Sequence, residues 1–444
     1  MKVARTIATV AALGLAGTPA DADNALGEAV AGDYAYLEEL FVHFHRNPEL
    51  SFRETATAAR LAAELRGLGL TVTEGVGGTG LVSVIENGAG PTVLIRADMD
   101  GLPIKEQSGL AYASVATQTD IDGEVKPVMH ACGHDVHITA LVGTARRLLA
   151  LKDRWRGTVV LIAQPAEERI GGARAMLEDG LYDRFPRPDY ALAFHVSAGE
   201  PAGRVAVLSG LVMSSSDSVN ITVHGVGAHG ASPHKSRDPI YIASQIVVSL
   251  QSLVSRELAP LEPGVVTVGS FHGGSKHNII PDRVDLQLTV RADSQETRET
   301  LLAGIVRIAE GVARAAGLPE DKLPTVEWGF ESTPTTYNDP ATAERVRAAF
   351  ERELGAERMY EDVREGMGAE DFAYFTQVDP PIPGVYFTVG GTTEADIAAE
   401  KAGGPPVPSH HSPFFRIEPK PAITSGVEAM TVAALELLGK PGTR

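Results

Sequence analysis

The segment 128-VMHACGHDVH-137 sets His130, Cys132, His134 and His137 within eight residues, and Cys132 is the only cysteine among 444 residues. With no second thiol an intramolecular disulfide is excluded, so the sulfur is buried, free or a ligand. A thiol and an imidazole separated by one glycine can turn toward a common point on an extended or tightly bent backbone, which is how metal ligands behave. Taken alone, the cluster fits equally a buried core cysteine among ordinary polar histidines. Other residues tip the balance. Asp98 and Asp100 follow the apolar run 92-TVLIR-96, Glu167 and Glu168 follow 158-TVVLIAQP-165, His195 ends 190-YALAF-194, and 410-HHSPFF-415 lies near the C-terminus. Two adjacent acids repel unless something positive neutralises them. Projecting from a loop, they point in different directions, so one can ligate a metal while the other handles a proton.

The elements that must position these residues alternate between two periodicities. Apolar residues recur at helical spacing from about 34 to 69, broken at Pro48, and again in 138-ITALVGTARRLLAL-151. Between such stretches lie the β-rich runs 81-LVSVIE-86, 92-TVLIRAD-98, 158-TVVLIAQ-164 and 189-DYALAFHV-196. Alternating helices and continuously apolar strands predict an α/β fold with a central, mostly parallel sheet. The candidate residues sit at the carboxyl ends of those strands, where open α/β sheets bind ligands.

Near residue 216 the rhythm changes to β-α-β-β-α-β: 218-SVNITVHG-225, the helix 239–258 with Pro239 near its start, 265-VVTVGSFHG-273, 284-VDLQLTVRA-292, the helix 294–317 and 324-PTVEWG-329. That order predicts an inserted ferredoxin-like α+β unit, a lid or dimer arm. The chain then returns through a helix at 340–354, the turn 366-GMGAEDF-372, a strand at 384–390 and a last helix near 421–438. The expected organisation is therefore a leader over 1–22, a catalytic domain over 23–215 and 331–444, and the insertion over 216–330.

Composition limits the partners. A formal charge of −18, with no lysine or arginine block, disfavours a nucleic-acid partner, whose binding needs basic side chains that release counterions. No stretch approaches the roughly 18 apolar residues of a membrane span. Lys2 and Arg5 before 6-TIATVAALGLAG-17, with small residues at 20-ADA-22, read as a secretory signal peptide, which predicts a periplasmic or secreted protein. The alternative is a disordered or helical N-terminal extension.

The stretches 45-HRNPELSFRE-54, 95-IRADMDGLP-103, 129-MHACGHDVHITA-140, 164-QPAEE-168, 229-HGASPHKSRDPI-240, 278-NIIPDRVDL-286, 368-GAEDFAYF-375 and 411-HSPFF-415 resemble the M20 peptidase family. They are most similar to its branch of amidohydrolases that cleave N-acyl amino acids, such as hippurate and auxin-conjugate hydrolases. The resemblance covers nearly all of the chain beyond the leader, in order, and implies the zinc-peptidase-like version of the fold. It also implies two divalent ions per subunit, manganese or zinc first, with cobalt or nickel as alternatives. The implied ligands are Cys132, His134, Glu168, His195 and His411. Glu167 would be the general base on the attacking water, and Asp98 would orient a ligand. Arg96 stands where other branches carry a ligand histidine, while His130 and His137 fall outside the implied set.

In the insertion, His229 matches a histidine that reaches the neighbouring subunit's site, implying a homodimer. Asn278 and Arg291 match positions near the substrate carboxylate, and Gly366 and Gly368 in the late turn let backbone approach the substrate. Val136, where the family usually has glycine, and the variant turn 366-GMGAEDF-372 depart from the pattern and bear on the acyl pocket. The implied reaction is hydrolysis of an N-acyl amino acid to a carboxylic acid and a free amino acid. A dipeptidase or carboxypeptidase on the same centre is the alternative, and a binding protein without turnover is the non-enzymatic one.

Overall fold

The computed structural model describes residues 19–440 except 362 and 365. The expected leader, 1–22, lies outside the described residues but for its last four, which open the helix Pro19–Arg46. Among the described residues no helix is long and apolar enough to cross a membrane.

A seven-stranded sheet forms the larger unit, in the order Val72–Val76, Gly80–Glu86, Thr158–Gln164, Thr92–Asp98, Tyr190–Pro201, Gly384–Thr392, Val205–Ala206. The four strands from Thr158–Gln164 to Gly384–Thr392 run parallel, and the flanking strands are antiparallel. Thr92–Asp98 and Thr158–Gln164 are buried at every position after the first, which is why both read as unbroken apolar runs. One face is covered by Pro19–Arg46, His134–Ala150 and Pro419–Leu437, packing around Leu37, Leu141 and Val427. The opposite face carries Met176, Leu181, Phe372 and Phe375 over Leu94, Val160 and Ala191. The result is three layers, α/β/α.

The second unit is a four-stranded antiparallel sheet, Gly264–Gly273, Arg283–Ala292, Ser215–His224, Thr325–Thr333, with Pro239–Ser252 and Gln295–Ala315 on one face. Along Ser215–His224, Val219, Ile221 and Val223 are buried beneath the helices, while Ser218, Asn220 and Thr222 alternate to the other face. The helices start where the sequence supplies caps. Asp238 accepts from the Ile240 amide at 2.9 Å with Pro239 at the first helical position, and Ser294 accepts from Thr297 at 3.1 Å. The chain re-enters the first sheet with Gly384–Thr392 paired to Tyr190–Pro201. The bare face of the small sheet roofs the carboxyl ends of the parallel strands.

Candidate metal centre and active site

Under that roof lies a cleft of about 1200 Å³, lined from below by Cys132, Glu167, Glu168, His195 and His411 and from above by Ser216, Arg291 and Phe330. Each lower residue is placed by a different local device. Gly133, at φ +85°, turns the chain into the helix His134–Ala150, so Cys132 and His134 flank the turn. The His134 Nδ1 bonds the Asp100 carbonyl at 2.9 Å, which fixes the ring and leaves Nε2 pointing into the site.

His195 lies within its strand, which runs on to Pro201 past the expected end, because its partner Gly384–Thr392 continues alongside, with Thr388 opposite His195. His195 Nδ1 bonds the Val196 carbonyl at 2.7 Å, and its Nε2 lies 3.3 Å from Cys132 Sγ. The Glu167–Glu168 loop is bent by two non-glycine residues at positive φ, Ala166 at +49° and Ile170 at +50°. Such strain persists only where the surroundings hold it. The Asp100 carboxylate accepts from the Glu167 and Glu168 amides at 3.2 and 3.1 Å, and Glu54 Oε1 accepts from Ala166 at 2.8 Å. His411, at φ +63°, hydrogen bonds through its amide to the Ala131 carbonyl, and its Nε2 stands 3.3 Å from Glu168 Oε2.

Ligand atoms converge in two groups that share the sulfur: Cys132 with His134 and His195, and Cys132 with Glu168 and His411, each group within 4.8 Å. The polar bookkeeping points to a cation. His134 Nε2 and Glu168 Oε1 are buried without a hydrogen-bond partner, 3.9 Å apart. Burial and the nearby Glu168 and Glu167 push the Cys132 thiol up. Burial works against charge on His134, yet Asp98 and Asp100 outweigh it and raise that ring to about 10. Acids crowded around a buried imidazole make the site electron-rich, and sulfur, imidazole and carboxylate donors suit borderline divalent ions. The residues therefore fit the metals that the family resemblance implies.

Glu167 is buried and stands outside the two sulfur-sharing groups. Burial, then Glu370, then Glu168 push its carboxyl well above the usual range. Asp98, expected to orient a ligand, bonds Arg96 and His137 at 2.6 Å each and lies 3.7 Å from His134 Nε2. His137 receives the Val196 amide on Nε2 at 2.9 Å. His130 is fully buried, and burial lowers it to about 4.

Among the substrate positions, Arg291 and Gly368 line the cleft, and the Gly368 carbonyl accepts from Ser214 at 2.8 Å. His229 and Asn278 do not line it. They sit at a two-stranded ribbon made by distant segments, Ala228–His229 against Ile279–Ile280, where the Asn278 carbonyl accepts from the Gly230 amide at 2.9 Å. Asp100, a candidate from the sequence without an assigned role, holds the Glu167–Glu168 loop through its carboxylate, and Glu370, not a candidate from the sequence, holds Arg96. The run of acids around Asp98–Asp100 was a signal for the first, and the acidic pair in 366-GMGAEDF-372 for the second.

Fold and site together define a metal-binding hydrolase of amide bonds. The chain belongs to peptidase family M20/M25/M40, whose model matches residues 94–402. It is 36% identical over 343 residues to hippurate hydrolase of Campylobacter jejuni, covering 77% of this chain and 85% of that one. It is also 36% identical over 377 residues to thermostable carboxypeptidase 2 of Saccharolobus solfataricus, covering 83% and 90%. A crystal structure of the Bacillus subtilis protein YXEP, described as a dinuclear metal-binding peptidase of the M20 family, superposes with a TM-score of 0.72 at 28% identity, covering 92% of this chain and 99% of that one.

Proposed function

We propose that the protein hydrolyses N-acyl amino acids to a carboxylic acid and a free amino acid. The observation that carries this reading is the pair of donor groups sharing Cys132, with the buried Glu167 beside them and outside both. Bound there, two divalent ions would polarise the amide carbonyl and acidify a water. Glu167 takes the proton from the attacking water as the new C–O bond forms, and delivers it to the leaving nitrogen as the tetrahedral intermediate collapses and the C–N bond breaks. Arg291, half-buried and without a hydrogen-bond partner among the described residues, faces the same cleft and receives the substrate carboxylate. The hippurate hydrolase relative supports the acyl amino acid reading. The carboxypeptidase relative, equally similar, supports peptide hydrolysis at the same centre as the second.

The homodimer is part of this proposal. His229 and Asn278 do not line their own cleft, His229 is exposed, and Ile279 beside it is an exposed apolar residue. We assign them to the neighbouring subunit's site, with His229 stabilising the oxyanion of the tetrahedral intermediate. Export through the N-terminal leader is likewise proposed, and fractionation with N-terminal sequencing of the native protein tests it.

The test of the reaction is a panel of N-acetyl, N-benzoyl and dipeptide substrates assayed before and after chelation. Activity on acyl amino acids that disappears with chelator and returns with manganese, zinc, cobalt or nickel supports the reading. Metal binding without turnover of any panel member would leave a binding protein.

A further inference from the structure

Beneath the candidate metal centre runs an unbroken chain of buried hydrogen bonds. The Tyr386 hydroxyl donates to Glu370 Oε2 at 2.7 Å. Arg96, fully buried, donates from Nη2 to Glu370 Oε1 at 2.6 Å, from Nη1 to Asp98 Oδ2 at 2.6 Å and from Nε to Gln164 at 2.7 Å. The other Asp98 oxygen meets His137 Nδ1 at 2.6 Å, and His137 Nε2 receives the Val196 amide at 2.9 Å. An amide can only donate, so His137 carries its proton on Nδ1 and donates it to Asp98. The Val196 carbonyl accepts from His195 Nδ1 at 2.7 Å and His410 Nε2 at 2.9 Å, which aims His195 Nε2 at Cys132.

The same residues hold a competing possibility. Asp98, His134 and His137 have ligand atoms within 4.8 Å of one another, enough to form a cation group lacking the sulfur. Both His137 nitrogens are engaged, and Arg96 occupies the Asp98 oxygen that lies 3.7 Å from the free His134 Nε2. We propose that Arg96 is a positioning residue that decides which donor group holds the ion. By pinning Asp98, and through it His137, it disables this one of the sulfur-free groups and keeps His134 for the group it forms with Cys132 and His195. The proposal rests on the metal-centre reading above and extends it to a residue that touches neither ion nor substrate.

The test uses the full chain loaded with cobalt(II), reading the thiolate-to-cobalt absorption per bound ion and the cobalt affinity. Arg96→Met alone leaves Asp98 and Glu370 buried without a counter-charge and can fail to fold. The charge-balanced pair Arg96→Met/Glu370→Gln is therefore the first probe. Arg96→Lys, which keeps the charge but not the fork that grips two carboxylates, is the second. We expect the pair to bind cobalt with a weakened thiolate band and an affinity for the sulfur sites lowered about 10–100-fold. Arg96→Lys should fall between the pair and the wild type. A band and affinity equal to wild type in the folded pair, or in Arg96→Lys should the pair not fold, overturns the proposal alone. A wild-type chain that takes up no cobalt overturns the metal-centre reading and this proposal with it.

Discussion

Gly133 lies directly against Val196: a β-carbon added at Gly133 would stand 2.2 Å from Val196 Cγ1. This contact joins the turn between Cys132 and His134 to the strand that carries His195. Gly133 also has φ +85°, a conformation that costs an L side chain. Gly133→Ala should therefore push the turn from the strand and separate Cys132 from His195, which now stand 3.3 Å apart. We expect a stability loss of about 1–3 kcal/mol and a larger fall in metal content. Thermal melts with and without added metal, alongside elemental analysis, check both. Full metal content in the folded variant would show that this contact does not set the ligand geometry.

Glu167→Gln keeps the shape of the side chain and removes its ability to accept a proton. Glu167 groups with His134 and Glu168 but with neither sulfur-sharing set, so on the base reading metal content should stay at the wild-type level while kcat falls about 10²–10⁴-fold. Glu168→Gln should do the opposite in the first respect, losing metal because Glu168 is the carboxylate that groups with Cys132 and His411. Equal metal loss in the two variants would mean that both acids are ligands.

These roles were legible to different degrees in the sequence. Residue type and position after apolar runs mark the neighbourhoods of Cys132, His134, Glu168, His195 and His411, while their choice over His130, His137, Glu167 and His410 comes from the family resemblance alone. The central strands were equally plain: Thr92–Asp98 and Thr158–Gln164 are buried on both sides, so nothing polar interrupts them. The edge strands Val72–Val76 and Val205–Ala206 were not visible, since one carries Gly75 and the other is two residues long. Pairing with neighbours, not their own composition, makes them strands. The orientation of His134 by a backbone carbonyl was also beyond reach, because a main-chain acceptor leaves no mark in residue type. Arg96 could be read as a departure at a ligand position. Its bonds to Glu370, 274 residues away, belong to the tertiary fold.

Removing metal should destabilise as well as inactivate. If the donors are native-state ligands, ions at about 100 times their dissociation constant contribute about 2.7 kcal/mol per site. Chelated protein should melt several degrees lower and recover on adding manganese or zinc. Cys132→Ser, which removes the atom common to both groups, should show little metal-dependent stabilisation. A metal-dependent melting shift unchanged in Cys132→Ser would place the ions elsewhere.

A second buried histidine predicts how stability varies with pH. His45 bonds Asp135 at 2.7 Å and Glu106 at 3.1 Å, tying the end of Pro19–Arg46 to the first turn of the helix that begins with His134. Burial pulls its pKa down, but the hydrogen bonds to Asp135 and Glu106 outweigh that and raise it to about 9. In the unfolded chain the ring titrates near 6.5, so the stabilisation is complete below that pH and is lost as pH rises through about 9. The amount is of order 3 kcal/mol. Denaturant titrations between pH 6 and 10, with the chain chelated throughout, should show wild type losing that much more stability than His45→Gln. Parallel decline of the two chains would contradict the linkage.

Arg291 offers the sharpest separation between substrate recognition and chemistry. It lies opposite Ser216 in the roof sheet, lines the cleft, and has Asp217 as its one opposing charge, itself bonded to Arg298 at 2.7 and 2.8 Å. A half-buried guanidinium without its own counter-ion is suited to receive one from the substrate. Arg291→Met keeps the length and apolar stem and removes the charge. A hydrogen bond to a charged group is worth about 1.5–3 kcal/mol, so kcat/KM on a substrate with a free carboxylate should fall about 10–100-fold. The same substrate with its carboxylate converted to an amide should be turned over equally by wild type and variant. Metal content should not change, because Arg291 belongs to no donor group. A variant that lost activity equally on both substrates would assign Arg291 to the architecture of the roof, and the carboxylate would need another partner in the cleft.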